Sequence, residues 1–130
     1  MRAFGLVKYI TPILIVFPFV AVSKDISFLQ KGYYLPDDVG CSGIGGAGAM
    51  YFDGSNISGH YEQCKTHKLD KIGNYKFVCI EAQGVDRPIT ADIERDPDRS
   101  ITVVHLDVRS STSFVMKRTI YNHCPEPKRN

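Results

Sequence analysis

The chain has 130 residues, 43% of them hydrophobic, and carries 16 Lys and Arg against 14 Asp and Glu. That length supports one domain rather than two. A net charge of +2 gives no clustered basic surface of the kind that nucleic acid or an anionic membrane requires.

The chain opens with Arg2 and Lys8, and the 14 residues from Tyr9 to Val22 are then uncharged and mostly apolar. A run of this length fits the core of a secretory signal and falls short of the roughly 20 apolar residues of a membrane-spanning helix. Pro12 and Pro18 interrupt it further. Ala21-Val22-Ser23 places small residues at the positions a signal peptidase reads. Residues 1–23 are therefore expected to be a cleaved signal peptide, and the chain to be periplasmic or secreted, with no stable membrane span after cleavage. Removing 23 residues from 130 leaves 107, residues 24–130, expected to form a single small disulfide-stapled β domain. Arg2 and Lys8 leave with the signal, so 14 charges of each sign remain and the mature domain is neutral.

From Phe28 onward the sequence alternates as strands do. Extended segments are expected at 28–35, 47–52, 57–64, 74–82, 89–94, 101–108 and 112–121. A short helix at 61–69 is the rival local reading. Asp53-Gly54 reads as a two-residue type I′ hairpin turn. Ile72-Gly73-Asn74 and Asp96-Pro97-Asp98-Arg99 read as further turns. The expected fold is mostly β, a small antiparallel meander closed as a barrel or folded as a sandwich.

The four cysteines, Cys41, Cys64, Cys79 and Cys124, all lie beyond the signal, and an even number in an exported small domain reads as two disulfides. Of the three possible pairings, proximity along the chain favours Cys41–Cys64 with Cys79–Cys124. Catalytic disulfide exchange lacks its C-x-x-C.

Gly43-Ile44-Gly45-Gly46-Ala47-Gly48 matches G-x-G-x-x-G literally, but no strand precedes it and no helix has room to follow, so it reads as a loop beside a disulfide. His60, Cys64 and His67 have a zinc-like spacing, with His123-Cys124 at the far end, but an oxidising compartment makes the cysteines staples first. Ser110 to Ser113 with Lys117 reads as a polar turn rather than serine–lysine chemistry. Asp37-Asp38 and Asp92 with Glu94 are ordinary surface carboxylates. Asn56-Ile57-Ser58 is a formal glycosylation sequon. No cofactor, metal or catalytic residue is expected.

The tyrosines are the compositional hint at recognition, because tyrosine joins contact area to a polar tip. Tyr33, Tyr34, Tyr51 and Tyr61 are the candidate partner-binding residues. The expected function is an exported binding module for a protein of the periplasm or extracellular space, in particular an inhibitor of a secreted hydrolase such as lysozyme. The alternatives are a structural envelope or secretion-system component, and a small enzyme whose loop site uses His60, His67 and Asp53.

Overall fold

The structure is a computed structural model that describes Gly5 and residues 9–19, 24–44, 46, 48–82 and 92–126. Residues 9–19 carry no regular secondary structure, and Tyr9, Ile10, Leu14 and Phe19 are 89–102% exposed. No helix among the described residues is long and apolar enough to cross a membrane.

From Lys24 onward the chain builds an eight-stranded antiparallel sheet that curls into a nearly closed barrel. The strands are β1 (Gly32–Pro36), β2 (Met50–Phe52), β3 (Ile57–Gly59), β4 (Glu62–Lys68), β5 (Asn74–Glu81), β6 (Ser100–Ser110), β7 (Ser113–Met116) and β8 (Thr119–Cys124). They are ordered β3-β2-β1-β8-β7-β6-β5-β4. Every neighbour in that order is a neighbour in sequence except β1 and β8, the first and last strands, which pair from Tyr33↔Cys124 to Pro36↔Tyr121.

The alternation of each strand puts one set of side chains inside. Tyr34, Phe52, Ile57, Tyr75, Phe77, Val104, Leu106, Val108 and Phe114 form the interior together with Cys64 and Cys79. A single 3-10 turn at Ile26–Phe28 plugs one end. Ile26 and Leu29 are buried in the interior, and the Ile26 amide donates to the Tyr75 hydroxyl at 3.2 Å. Asp25 caps this turn by accepting from the Ser27 amide and hydroxyl and from Lys68. The Ser27 hydroxyl first, and then Lys68, hold its carboxyl below the usual value.

The sheet's two edges, β3 and β4, meet at a seam with no ladder register of their own. Side chains bridge it instead. The Ile57 amide donates to Thr66 Oγ1 at 3.0 Å, the Cys64 amide to Ser58 Oγ at 3.0 Å and the Thr66 amide to Asn56 Oδ1 at 2.9 Å. Buried amides need partners, and here hydroxyl and amide side chains supply them.

Outside the wall, the loop from β1 to β2 folds back over β1 and β8. Leu35, Ala49 and Cys124 form a second small core with Tyr33 and Ile44. The disulfide Cys41–Cys124 clamps it. On the opposite wall the 3-10 turn Ile93–Arg95 packs on β4 and β5, where Ile93 and Val78 are buried and His67 bonds Glu94.

The fold class is the expected one, and several details differ. The disulfides are Cys41–Cys124 and Cys64–Cys79, not the pairing favoured by chain proximity. Barrel closure brings the ends of the chain together, and the hairpin β4–β5 sets Cys64 directly opposite Cys79. The segment 112–121 is not one strand but the hairpin β7–β8. Lys117 (φ 49°) and Arg118 (φ 65°) make its two-residue turn in the left-handed region. The segment 57–64 breaks at His60-Tyr61, and 62–68 is a strand rather than a helix.

Asp53-Gly54 does not form a type I′ turn. It starts a four-residue loop in which Asp53 Oδ1 accepts from the Ser55 and Asn56 amides at 2.8 and 2.7 Å. The turn before β5 is as expected, with Gly73 at φ 82°, where a side chain would also strike the ring of His105. The turn Asp96–Arg99 is closed by the Arg99 amide on the Asp96 carbonyl at 3.2 Å. The expected strand at 89–94 lies half outside the described residues, and Ile93 and Glu94 are in the 3-10 turn rather than extended.

Candidate functional site

The barrel end opposite the Ile26 plug is open. It is the end at which β4 begins, β5 finishes and the chain turns into β6. An outer recess of about 590 Å³ is lined by Glu62, Cys79, Ile80, Glu81, Asp96, Asp98 and Ser100. It shares Glu62, Cys79 and Ser100 with an inner throat of about 110 Å³, whose wall includes Met50, Ile57, Phe77, Val104, Met116 and, as the one basic group among the described residues, Lys117.

The acidic rim is assembled by topology. Glu62 and Glu81 are direct cross-strand partners at the ends of β4 and β5. Asp96 and Asp98 flank Pro97 in the turn that leads into β6, and Ser100 stands opposite Cys79. Among the described residues, no Lys or Arg lines the outer recess. Like charges placed directly opposite in a sheet destabilise it, so the Glu62–Glu81 pair is a structural burden that a cation bound in the recess would relieve. Tyr61, the residue before β4, is 62% exposed at the same end. Its ring meets His60 edge-on with centroids 4.2 Å apart. Its carbonyl accepts the Ala82 amide at 3.0 Å, which fixes the turn beside the rim.

Glu62 comes within 4.8 Å of the sulfurs of Cys64 and Cys79. Both sulfurs are spent on their mutual disulfide, so the trio lacks the thiolates a metal centre would use. The same bond removes Cys64 from the zinc-like spacing with His60 and His67.

The tyrosines separate. Tyr61 is at the surface beside the recess. Tyr33 is half-buried against Tyr51, with centroids 4.9 Å apart and planes at 63°. Tyr51 is only 6% exposed. Tyr34 is fully buried, its hydroxyl directed at the carbonyls of Gln30 (2.7 Å) and Ser111 (3.2 Å), and burial pushes its pKa up to about 12. Tyr34 and Tyr51 thus lack the surface that a direct partner contact requires. Tyr33 and Tyr34 are adjacent on one strand, so they point to opposite faces of the wall.

His60, His67 and Asp53 do not converge. Asp53 and His60 lie beyond opposite ends of β3, Asp53 is occupied as a loop cap, and His67 faces outward to Glu94. The glycine stretch is a series of turns beside Cys41, with the Gly43, Gly46 and Ala49 amides donating to the carbonyls of Gly40, Gly43 and Gly46. The sequon is built into the seam. Asn56 bonds Thr66 and Asp53, and Ser58 is 5% exposed.

Glu62, Glu81, Asp96 and Asp98 carry no local motif. Their only sequence signal is that Glu81 sits near the end of a predicted strand and Asp96 and Asp98 in a predicted turn, while Glu62 falls inside the expected strand 57–64. Compared with protein-family models, curated proteins and solved structures, the chain matches none of them.

Proposed function

We propose that this chain is an exported binding module whose open barrel end captures a cationic protein, and that it acts in the periplasm or extracellular space as an inhibitor of a basic secreted hydrolase such as lysozyme. The observation that carries this reading is the recess of Glu62, Glu81, Asp96 and Asp98, with no Lys or Arg among the described residues that line it and with exposed Tyr61 beside it. Clefts lined by one sign of charge raise the on-rate of an oppositely charged partner, and a rigid tyrosine at the rim supplies contact area at low entropic cost.

Export is supported by two features. The two disulfides suit an oxidising compartment. Lys24 bridges Val108 and Asp25 caps the first turn, so the residues just past the predicted cleavage point are already part of the barrel.

The test is titration of a basic lysozyme with the oxidised protein. Stoichiometric inhibition is expected, weakening steeply as salt rises and lost in the double variant Glu81→Lys/Asp98→Lys. Full enzyme activity at saturating protein and low salt would overturn the inhibitor reading. Inhibition unchanged in the double variant would overturn the assignment to this recess.

A further inference from the structure

β6 is paired over its length by two different neighbours. Ser100 to His105 pair with β5, and Leu106 to Ser110 pair with β7. The side of Ser100–His105 that faces away from β5 therefore has no ladder partner among the described residues. Its side chains leave the edge unguarded. Ile101 and Val103 point outward at 56% and 58% exposure, and Thr102 on the other face is exposed as well. Natural edge strands are normally protected by lysine, proline, a bulge or a covering element, and Ser100–His105 contains neither lysine nor proline.

We infer that this half of β6 is a self-recognition edge, where a second copy of the chain adds its own β6 antiparallel about a two-fold axis at Thr102. Two constraints select this occupant and register. The free edge is bounded by β7, which pairs from Leu106, and by the turn Asp96–Arg99, so a strand no longer than the edge itself fits. Antiparallel partners share a face, so the copies must pair residues of like parity. With Thr102 opposite Thr102 of the second copy, Ile101 meets the second copy's Val103 and Val103 meets its Ile101. All of these are β-branched cross-strand pairs of the stabilising kind.

The charges agree with this register. Lys117 lines the throat together with Ser100, Thr102 and Val104. In the dimer Val104 faces the second copy's Ser100, which brings that copy's Asp96–Asp98 turn toward Lys117. The contact occurs twice by symmetry, as an isologous interface requires. Pairing would join the two β4-β5-β6 sheets into one continuous sheet.

Sedimentation velocity of the full chain, disulfides intact, tests this across a concentration series. A monomer–dimer equilibrium is expected, weakened at least about tenfold by Val103→Lys, because a charge would be placed opposite an apolar partner twice per dimer. Val103 is exposed, and retained circular dichroism with both disulfides formed will show that the variant folds. Thr102→Cys should cross-link into a disulfide dimer far faster than Ile120→Cys, which is also exposed but lies on β8. A chain that stays monomeric, an association that Val103→Lys leaves unchanged (as association through the apolar residues 9–19 would be), or equal cross-linking at both cysteines would each overturn the inference.

Discussion

The side-chain carbonyl of Asn56 accepts the backbone amide of Thr66 at 2.9 Å, so one asparagine supplies a bond that elsewhere in the barrel the ladder makes. This and two similar contacts bridge the seam between β3 and β4, and the barrel is expected to open there at least cost. Asn56→Ala leaves the Thr66 amide without that acceptor and should destabilise the fold by about 1–3 kcal/mol. Hydrogen exchange read by NMR should show faster exchange at Thr66 and Ile57 while the β5–β6 amides keep their protection.

The turn of Lys117 and Arg118 holds two side-chain-bearing residues at positive φ. That conformation favours Asn-Gly, and each L-residue with a β-carbon pays for it in local strain. Lys117→Asn/Arg118→Gly should stabilise the protein by about 1 kcal/mol. Urea denaturation should show a higher midpoint with an unchanged slope.

The disulfides close loops of very different length, with sequence separations of 83 for Cys41–Cys124 and 15 for Cys64–Cys79. Chain entropy assigns about 4.5 kcal/mol to the longer loop and about 3 kcal/mol to the shorter. Thermal unfolding of the two paired-alanine variants should therefore show the larger loss for Cys41→Ala/Cys124→Ala.

Burial raises the Tyr34 pKa to about 12. Below pH 10 the hydroxyl is neutral in both the folded and unfolded chains and contributes no pH dependence. Between pH 10 and about 12 the unfolded chain releases the proton while the folded chain keeps it, so stability falls as pH rises. Tyr34→Phe should remove this share of the alkaline decline. At neutral pH the variant should cost about 1–2 kcal/mol, because the carbonyls of Gln30 and Ser111 lose a donor. Unfolding midpoints measured from pH 8 to 12 separate the two effects.

Glu81→Gln removes one of two directly opposed carboxylates. It should raise stability by about 0.2–1 kcal/mol and at the same time weaken capture of a cationic partner. Paired denaturation and binding titrations should move in opposite directions; a variant that loses both stability and binding would place Glu81 in the scaffold instead.

Much of the wall was legible from the sequence. Tyr75, Phe77 and Cys79 alternate as an interior set, and Gly73 and Pro97 mark turns by mechanisms that act locally. The errors share a different cause. Lys117-Arg118 has none of the residues that a left-handed turn prefers, so 112–121 read as unbroken. The cysteine pairing and the acidic rim depend on which strands become neighbours, and that is set by closure of the whole sheet. Adjacent Tyr33 and Tyr34 could have been separated from the outset, since consecutive residues of a strand face opposite sides of the wall. The side-chain seam had no signal beyond Asn, Ser and Thr lying near two strand ends.

The pairing of β1 with β8 sets the beginning and the end of the barrel sequence side by side, while β3 and β4 are joined by His60-Tyr61 across the seam. If the ends were linked and the chain cut at that turn, the same residues would run β4-β5-β6-β7-β8-β1-β2-β3, each strand beside the one before it. The protein is thus an up-and-down barrel written from a different starting point, and a circular permutant opened between His60 and Tyr61 keeps every ladder while moving the new ends to the rim of the acidic recess.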